Sequence, residues 1–174
     1  MRKRLATLVI VVAVLTGCGG GDVDGNALAA ERWDPCSIPT ESLATTGLDS
    51  TFKEIGWGRG VSVQDWSLCI FRGPDVQPSY FFNVKSSDVY TVQDARVNES
   101  NLNGVDLEIA GRDAYRYSTA TSQSITDCNI AVDVPTGVVV FAVNSMGTDP
   151  IGADPCDLVL THTRDLAVLL PPAK

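Results

Sequence analysis

Five cysteines constrain this chain more than any other feature: one at position 18, directly behind an apolar run, and four more at positions 36, 69, 128 and 156. The first belongs to an address label. Arg2, Lys3 and Arg4 make a basic start, and residues 5–15 are apolar except for Thr7. A run of about 11 residues falls short of the roughly 20 that span a bilayer as a helix. A short apolar stretch behind a basic start reads as a secretory leader, so residues 1–17 are expected to be a signal peptide. The remaining chain then folds in an oxidising, extracytoplasmic setting.

Leu15-Thr16-Gly17-Cys18 resembles the bacterial lipobox, a leucine and two small residues before a cysteine. In proteins with that pattern the cysteine receives a diacylglyceryl group and becomes the mature N-terminus. Two acyl chains anchor stably where one binds only marginally. The expected location is the extracytoplasmic face of the cell membrane, held through a lipid on Cys18. The plainer reading is an ordinary leader with a coincidental cysteine; the small residues and the Gly-rich sequel argue for lipidation. Loss of residues 1–17 removes three cations, so the net charge of −8 becomes −11 over 157 residues. So acidic a chain excludes a nucleic-acid partner gripped through a basic surface. It also favours a domain held off an anionic membrane. Residues 19–32 are Gly-rich and then Ala-rich, the composition of a flexible tether. The expected organisation is therefore a leader over 1–17, a tether over 18–33 and one globular domain over 34–174.

With Cys18 assigned to lipid, Cys36, Cys69, Cys128 and Cys156 remain, an even number in an oxidising compartment, and two disulfides are expected. Four cysteines allow three pairings. Joining Cys36 to Cys69 and Cys128 to Cys156 closes two loops of about 30 residues, each worth roughly 3–4 kcal/mol by loop entropy. A zinc site is disfavoured, because there is no C-x-x-C pair and His162 is the only histidine. No cofactor is expected.

Residues 39–46 carry proline at the start and Gly47 past the end, the asymmetry of a short helix. Alternation around Trp66-Leu68-Ile70, Tyr80-Phe82-Val84, Val105-Leu107-Ile109, Tyr115-Tyr117 and Ile130-Val132-Val134, followed by an unbroken apolar run over 138–143, predicts strands. Pro135-Thr136-Gly137 between the last two reads as a hairpin turn. A final helix opens at Asp154 with Pro155 at its first position and is expected to bury Leu158, Leu166, Leu169 and Leu170. Pro171-Pro172 ends it. Segregated helices on such strands make an α+β domain: an antiparallel sheet of five or six strands, with a short N-terminal helix and a C-terminal helix packed on it.

The lipobox, Asp34-Pro35-Cys36 with its short helix, Cys69-Ile70-Phe71, Cys128 on a late strand and Asp154-Pro155-Cys156 opening the last helix together resemble one family. It is a family of actinobacterial lipoproteins, frequent in mycobacteria, built on a domain of unknown function. Phe71 stands where that family usually carries tryptophan, and either aromatic packs beside a disulfide. The resemblance covers about residues 34–172. It implies the pairing Cys36–Cys69 and Cys128–Cys156 and an envelope location, and it brings no activity with it.

Candidate chemistry is sparse. His162 falls on or beside the apolar stripe of the last helix, where a packed histidine is the expected state; a Ser-His-Asp triad would need it, and no G-x-S-x-G elbow exists. Gly56-Trp57-Gly58-Arg59-Gly60 fits neither a dinucleotide fingerprint nor a P-loop and reads as a turn. Asp22, Asp24 and Asn26 mimic the start of a calcium loop, but Ala27 and Trp33 stand where glycine and glutamate are needed. Asp106 and Glu108 share one strand face and read as solvated charges. Asn98-Glu99-Ser100 matches a glycosylation sequon, which is moot in a bacterial lipoprotein. No catalytic, cofactor-binding or metal residue is predicted. The aromatics Trp33, Trp57, Trp66, Tyr80, Phe81, Phe82, Tyr115 and Tyr117 serve either a core or a binding surface, with Trp57 the hardest to place in a core. The expected function is a membrane-anchored, non-catalytic binding module for an envelope protein or envelope ligand. The alternative is a secreted hydrolase working through converging carboxylates.

Overall fold

A computed structural model of the chain describes residues 31–75, 79–119, 127–145 and 152–173. The stretch read as a leader, Cys18 and the residues read as a lipobox, the stretch read as a tether up to residue 30, and Asp22, Asp24 and Asn26 lie outside the described residues. Arg32 and Trp33, at the end of the stretch read as tether, already touch the domain. Arg32 Nε donates to Asp88, Ser86 Oγ donates to the Trp33 carbonyl, and the Trp33 ring packs against the core.

Seven strands form one antiparallel sheet, not the five or six expected: β1 (Glu54–Ile55), β2 (Ser67–Arg72), β3 (Tyr80–Ser87), β4 (Asn101–Ile109), β5 (Arg112–Thr119), β6 (Asp127–Val134) and β7 (Gly137–Ser145). Their order across the sheet is β1-β2-β3-β7-β6-β5-β4. The chain leaves β3, crosses to the far edge as β4, and returns strand by strand until β7 closes against β3. β1 is too short for alternation to reveal. β4 begins earlier than its apolar residues because a bulge between Leu102 and Val105 hides the period. At that bulge Gly104 lies under the Tyr115 hydroxyl, where any Cβ would collide. The β6–β7 hairpin turns on Gly137, whose φ of +138° and contact with the Ser87 carbonyl admit no other side chain without strain.

The first face of the sheet is sealed. Phe82 and Val84, Phe141 and Val143, and Ile130 and Val132 interleave under α3 (Pro155–Leu166), with Phe71 alongside on β2. Asp154 caps α3 by accepting from the Cys156 amide. The buried stripe of α3 is Val159, His162, Thr163 and Leu166. Leu158, expected on that stripe, sits half-buried at its edge, and Thr163 enters because its hydroxyl donates to the Val159 carbonyl at 2.6 Å. Cys36 is bonded to Cys69 and Cys128 to Cys156, which ties the N-terminal 3-10 turn (Pro35–Ser37) to β2 and α3 to β6. The short helix α1 (Thr40–Thr45) buries Leu43 into the same core.

The second face carries a helix that the sequence reading did not anticipate, α2 (Val92–Val97). Its N-terminus is a capping box: the Thr91 hydroxyl accepts from the Asp94 amide, while the Asp94 carboxylate accepts from the Thr91 amide at 2.7 Å. Arg96 clamps it to the sheet, donating to Asp106 at 2.7 Å and to both oxygens of Asp113. Asp106 and Glu108 are exposed on the strand as expected, and Asp106 also anchors Arg96. Six residues cover only part of the face; Val92 joins Tyr117, Ala131, Val138 and Val140 in a small second core.

Candidate functional site

Where α2 stops, the second face opens into a cavity of about 540 Å³. The strand register explains it. Asn83 on β3, Ala142 on β7 and Asn129 on β6 stand side by side in one row, with Tyr117 on β5 completing it. The next row carries Asn144 opposite Asp127. A small alanine among longer polar side chains leaves room above the row, where the cavity lies, while Ala142 itself is closed over by its neighbours at 2% exposure. Trp66 and Tyr90 stack at 5.3 Å with an interplanar angle of 14° and line the cavity, and Trp57 lines it too. Trp57, 37% exposed, is thus accounted for by a cavity rather than a core.

The floor is organised by hydrogen bonds. Asn83 Nδ2 donates to Asn144 Oδ1 at 2.7 Å, and Asn83 Oδ1 is buried without a partner among the described residues. Asp127 is held by three donors: it accepts from the Thr119 amide at 2.7 Å, from the Thr119 hydroxyl and from Asn129 Nδ2 at 3.1 Å. Lys85, one row away, makes no ion pair among the described residues. Burial lowers its pKa from the usual lysine value, and the nearby Asp127 charge partly opposes that. Burial, helped by Asp127, pushes the Tyr117 hydroxyl up to about 12. Asp94 lies on the cavity wall, but hydrogen bonds from Thr91 hold its carboxyl below the usual range.

His162 lies elsewhere, under the first face and 3% exposed. Thr46 Oγ1 donates to Asp165 at 2.7 Å, so it accepts from His162 Nδ1 at 2.9 Å; His162 Nε2 then accepts from the Tyr80 hydroxyl at 3.0 Å. Both ring nitrogens are thereby committed, and burial lowers the histidine pKa against the opposing pull of Asp165. No cluster of three His, Cys, Asp or Glu residues that could hold a metal occurs among the described residues. Gly56, Gly58 and Gly60 all have positive φ in the loop before β2, which carries Trp57 to the cavity. Asn98 ends α2, its side chain accepting from the Ser100 amide. The sequence reading missed Asn83, Lys85, Asp127, Asn129 and Asn144. Four of them had as their only signal polar residues alternating with apolar ones on β3 and β6, which an ordinary wet face produces equally well, and Asn144 merely follows the apolar run of β7.

Over residues 13–168 the chain matches the family described as "Protein of unknown function (DUF3558)". The chain belongs to that family. No curated protein and no solved structure matches it. A DUF3558 chain therefore carries this sheet, its two disulfides and a polar-floored cavity, and the family description assigns the cavity no role. No helix among the described residues is long and apolar enough to cross a membrane.

Proposed function

We propose that this DUF3558 chain is a lipid-anchored binding module of the actinobacterial envelope, tethered through Cys18, and that it takes a small envelope ligand in the cavity on the second face. The cavity carries the reading: its 540 Å³ lies in the range of small-molecule sites, and it joins aromatic walls to a few convergent polar groups. Two disulfides accord with an oxidising compartment. Leu15-Thr16-Gly17-Cys18 supports the anchor.

A carboxylate-dependent hydrolase needs an acid kept protonated by a raised pKa beside a second free carboxylate. The cavity does contain two carboxylates, but Asp94 is shifted in the opposite direction and Asp127 is filled by three donors. Binding without turnover is the better account. The test is native mass spectrometry of the protein extracted from its own membranes. The parent should carry a small molecule that an Ala142→Trp variant, with its cavity filled, lacks. Cys18→Ala should release the protein from the membrane fraction or leave it unprocessed. A bare parent protein contradicts the ligand, and a normally processed, membrane-bound Cys18→Ala protein contradicts the anchor.

A further inference from the structure

We infer that the ligand of this cavity is an uncharged pyranose sugar, an inference that rests on the binding-module reading above. A sugar ring presents two unlike surfaces. Its hydroxyls each donate and accept, and they are best met by side chains that do both, while its C–H faces are apolar and pack on flat rings. The cavity offers the same division. Asn83, Asn129 and Asn144 surround Ala142, and each amide carries both donors and an acceptor. Asn83 Nδ2 and Asn129 Nδ2 already donate to Asn144 and Asp127, while Asn144 Nδ2 and Asn129 Oδ1 make no hydrogen bond among the described residues, so the cluster is not closed upon itself. Trp66, stacked on Tyr90, and Trp57 line the cavity with aromatic rings.

Charge narrows the class. One cation, Lys85, faces two carboxylates on the lining, Asp94 and Asp127, and both carboxylates already accept hydrogen bonds from the chain. That set favours no anion, since the carboxylates outnumber the cation, and no free cation, since both carboxylates are already engaged. An acyl chain in the same place would strip water from Lys85 and three amides and return no hydrogen bond, a costly exchange. A neutral polyol ring satisfies them.

The experiment is saturation-transfer NMR on the full processed protein in a non-glycosidic detergent. The probes are methyl α-glucopyranoside, methyl α-mannopyranoside, methyl α-galactopyranoside and N-acetylglucosamine, with cyclohexanol and glucuronate as controls. At least one neutral pyranose should show transfer strongest on the ring C–H protons of one face. Trp66→Ala and Asn129→Ala should each weaken it tenfold or more. Because Trp66 also borders the small second core, Trp57→Ala, which alters a partly exposed indole, should weaken it as well, with the melting temperature kept. Cyclohexanol binding as well as the sugars, or glucuronate binding tenfold better, overturns the sugar while leaving a ligand-binding cavity intact. Silence from all six probes overturns the sugar too; joined to a bare protein in native mass spectrometry, it removes the binding-module reading with it.

Discussion

The two faces of this sheet are built from the same strands and obey opposite rules. Under α3, Phe82, Phe141, Ile130 and Val132 are fully buried, both disulfides close over the layer, and the one histidine has both nitrogens satisfied by side chains. On the other side a six-residue helix covers part of the surface and leaves an amide-lined hollow, with a lysine and an unpaired carbonyl beneath it. A face that served only to hold the fold together would fill Ala142's position and pair every polar atom. The contrast separates what keeps the chain folded from what the chain is folded to present.

The sharpest way to break that contrast is Phe141→Ala. Phe141 is fully buried against Phe82, and its loss should cost about 3–5 kcal/mol in a denaturant titration. A cost below about 1 kcal/mol would mean that the first face is not the core. His162→Leu should cost less, about 1–3 kcal/mol, because it leaves the buried Tyr80 hydroxyl and Thr46 without their shared partner. The same residue sets a pH dependence. Its native pKa is lower than the roughly 6.5 of an unfolded histidine, so its stabilising contribution is whole above that pH. That contribution is lost as pH falls from there through the native pKa, because the unfolded chain takes the proton first. Unfolding measured from pH 7.5 to 5 should show that limb in the parent and flatten it in His162→Leu. Asp94 and Asp113, whose native pKa values are lowered from 3.8, contribute in full across that range and lose their contribution only as pH falls below 3.8 through their native pKa values.

Arg96→Ala tests the open side. The Arg96 pairs with Asp106 and Asp113 are largely solvent-exposed, so the loss should be at most about 1 kcal/mol. Amide exchange should nevertheless quicken in α2 and leave α3 unchanged, since Arg96 is the clamp that holds α2 over the cavity. Smallest of all, Val168→Lys changes a side chain that is 76% exposed and should move stability by less than about 0.5 kcal/mol.

The first face was legible in the sequence because its signals are local. Asp154-Pro155 announced α3, alternating apolar residues announced β2, β3 and β6, an unbroken apolar run announced β7, and Pro39 with Gly47 bracketed α1. His162 and Leu166 sit on the buried stripe of α3 as expected, but Val159 takes the place of Leu158 and Thr163 joins, because a threonine with its hydroxyl satisfied counts as core in three dimensions and as surface in one. Helix α2 had a signal in Thr91-x-x-Asp94, a capping box with aspartate in place of the commoner glutamate, but at six residues it shows no hydrophobic period. The cavity could not be read at all from the sequence. Asn83, Ala142 and Asn129 become neighbours only when β7 inserts between β3 and β6, and that strand order is a property of the closed sheet, not of any segment.

The most direct test of the division between faces is the unfolding free energy of the Asn83→Leu, Asn144→Leu double variant. These amides bond to each other at 2.7 Å on the cavity floor, and replacing both partners by apolar groups of similar size removes a hydrogen bond without orphaning either side. If the amides serve a ligand, the double variant should unfold within about 1 kcal/mol of the parent, or above it, since it also removes the unpaired Asn83 carbonyl. A loss as large as that of Phe141→Ala would contradict the account, because the polar floor would then be part of what holds the protein together.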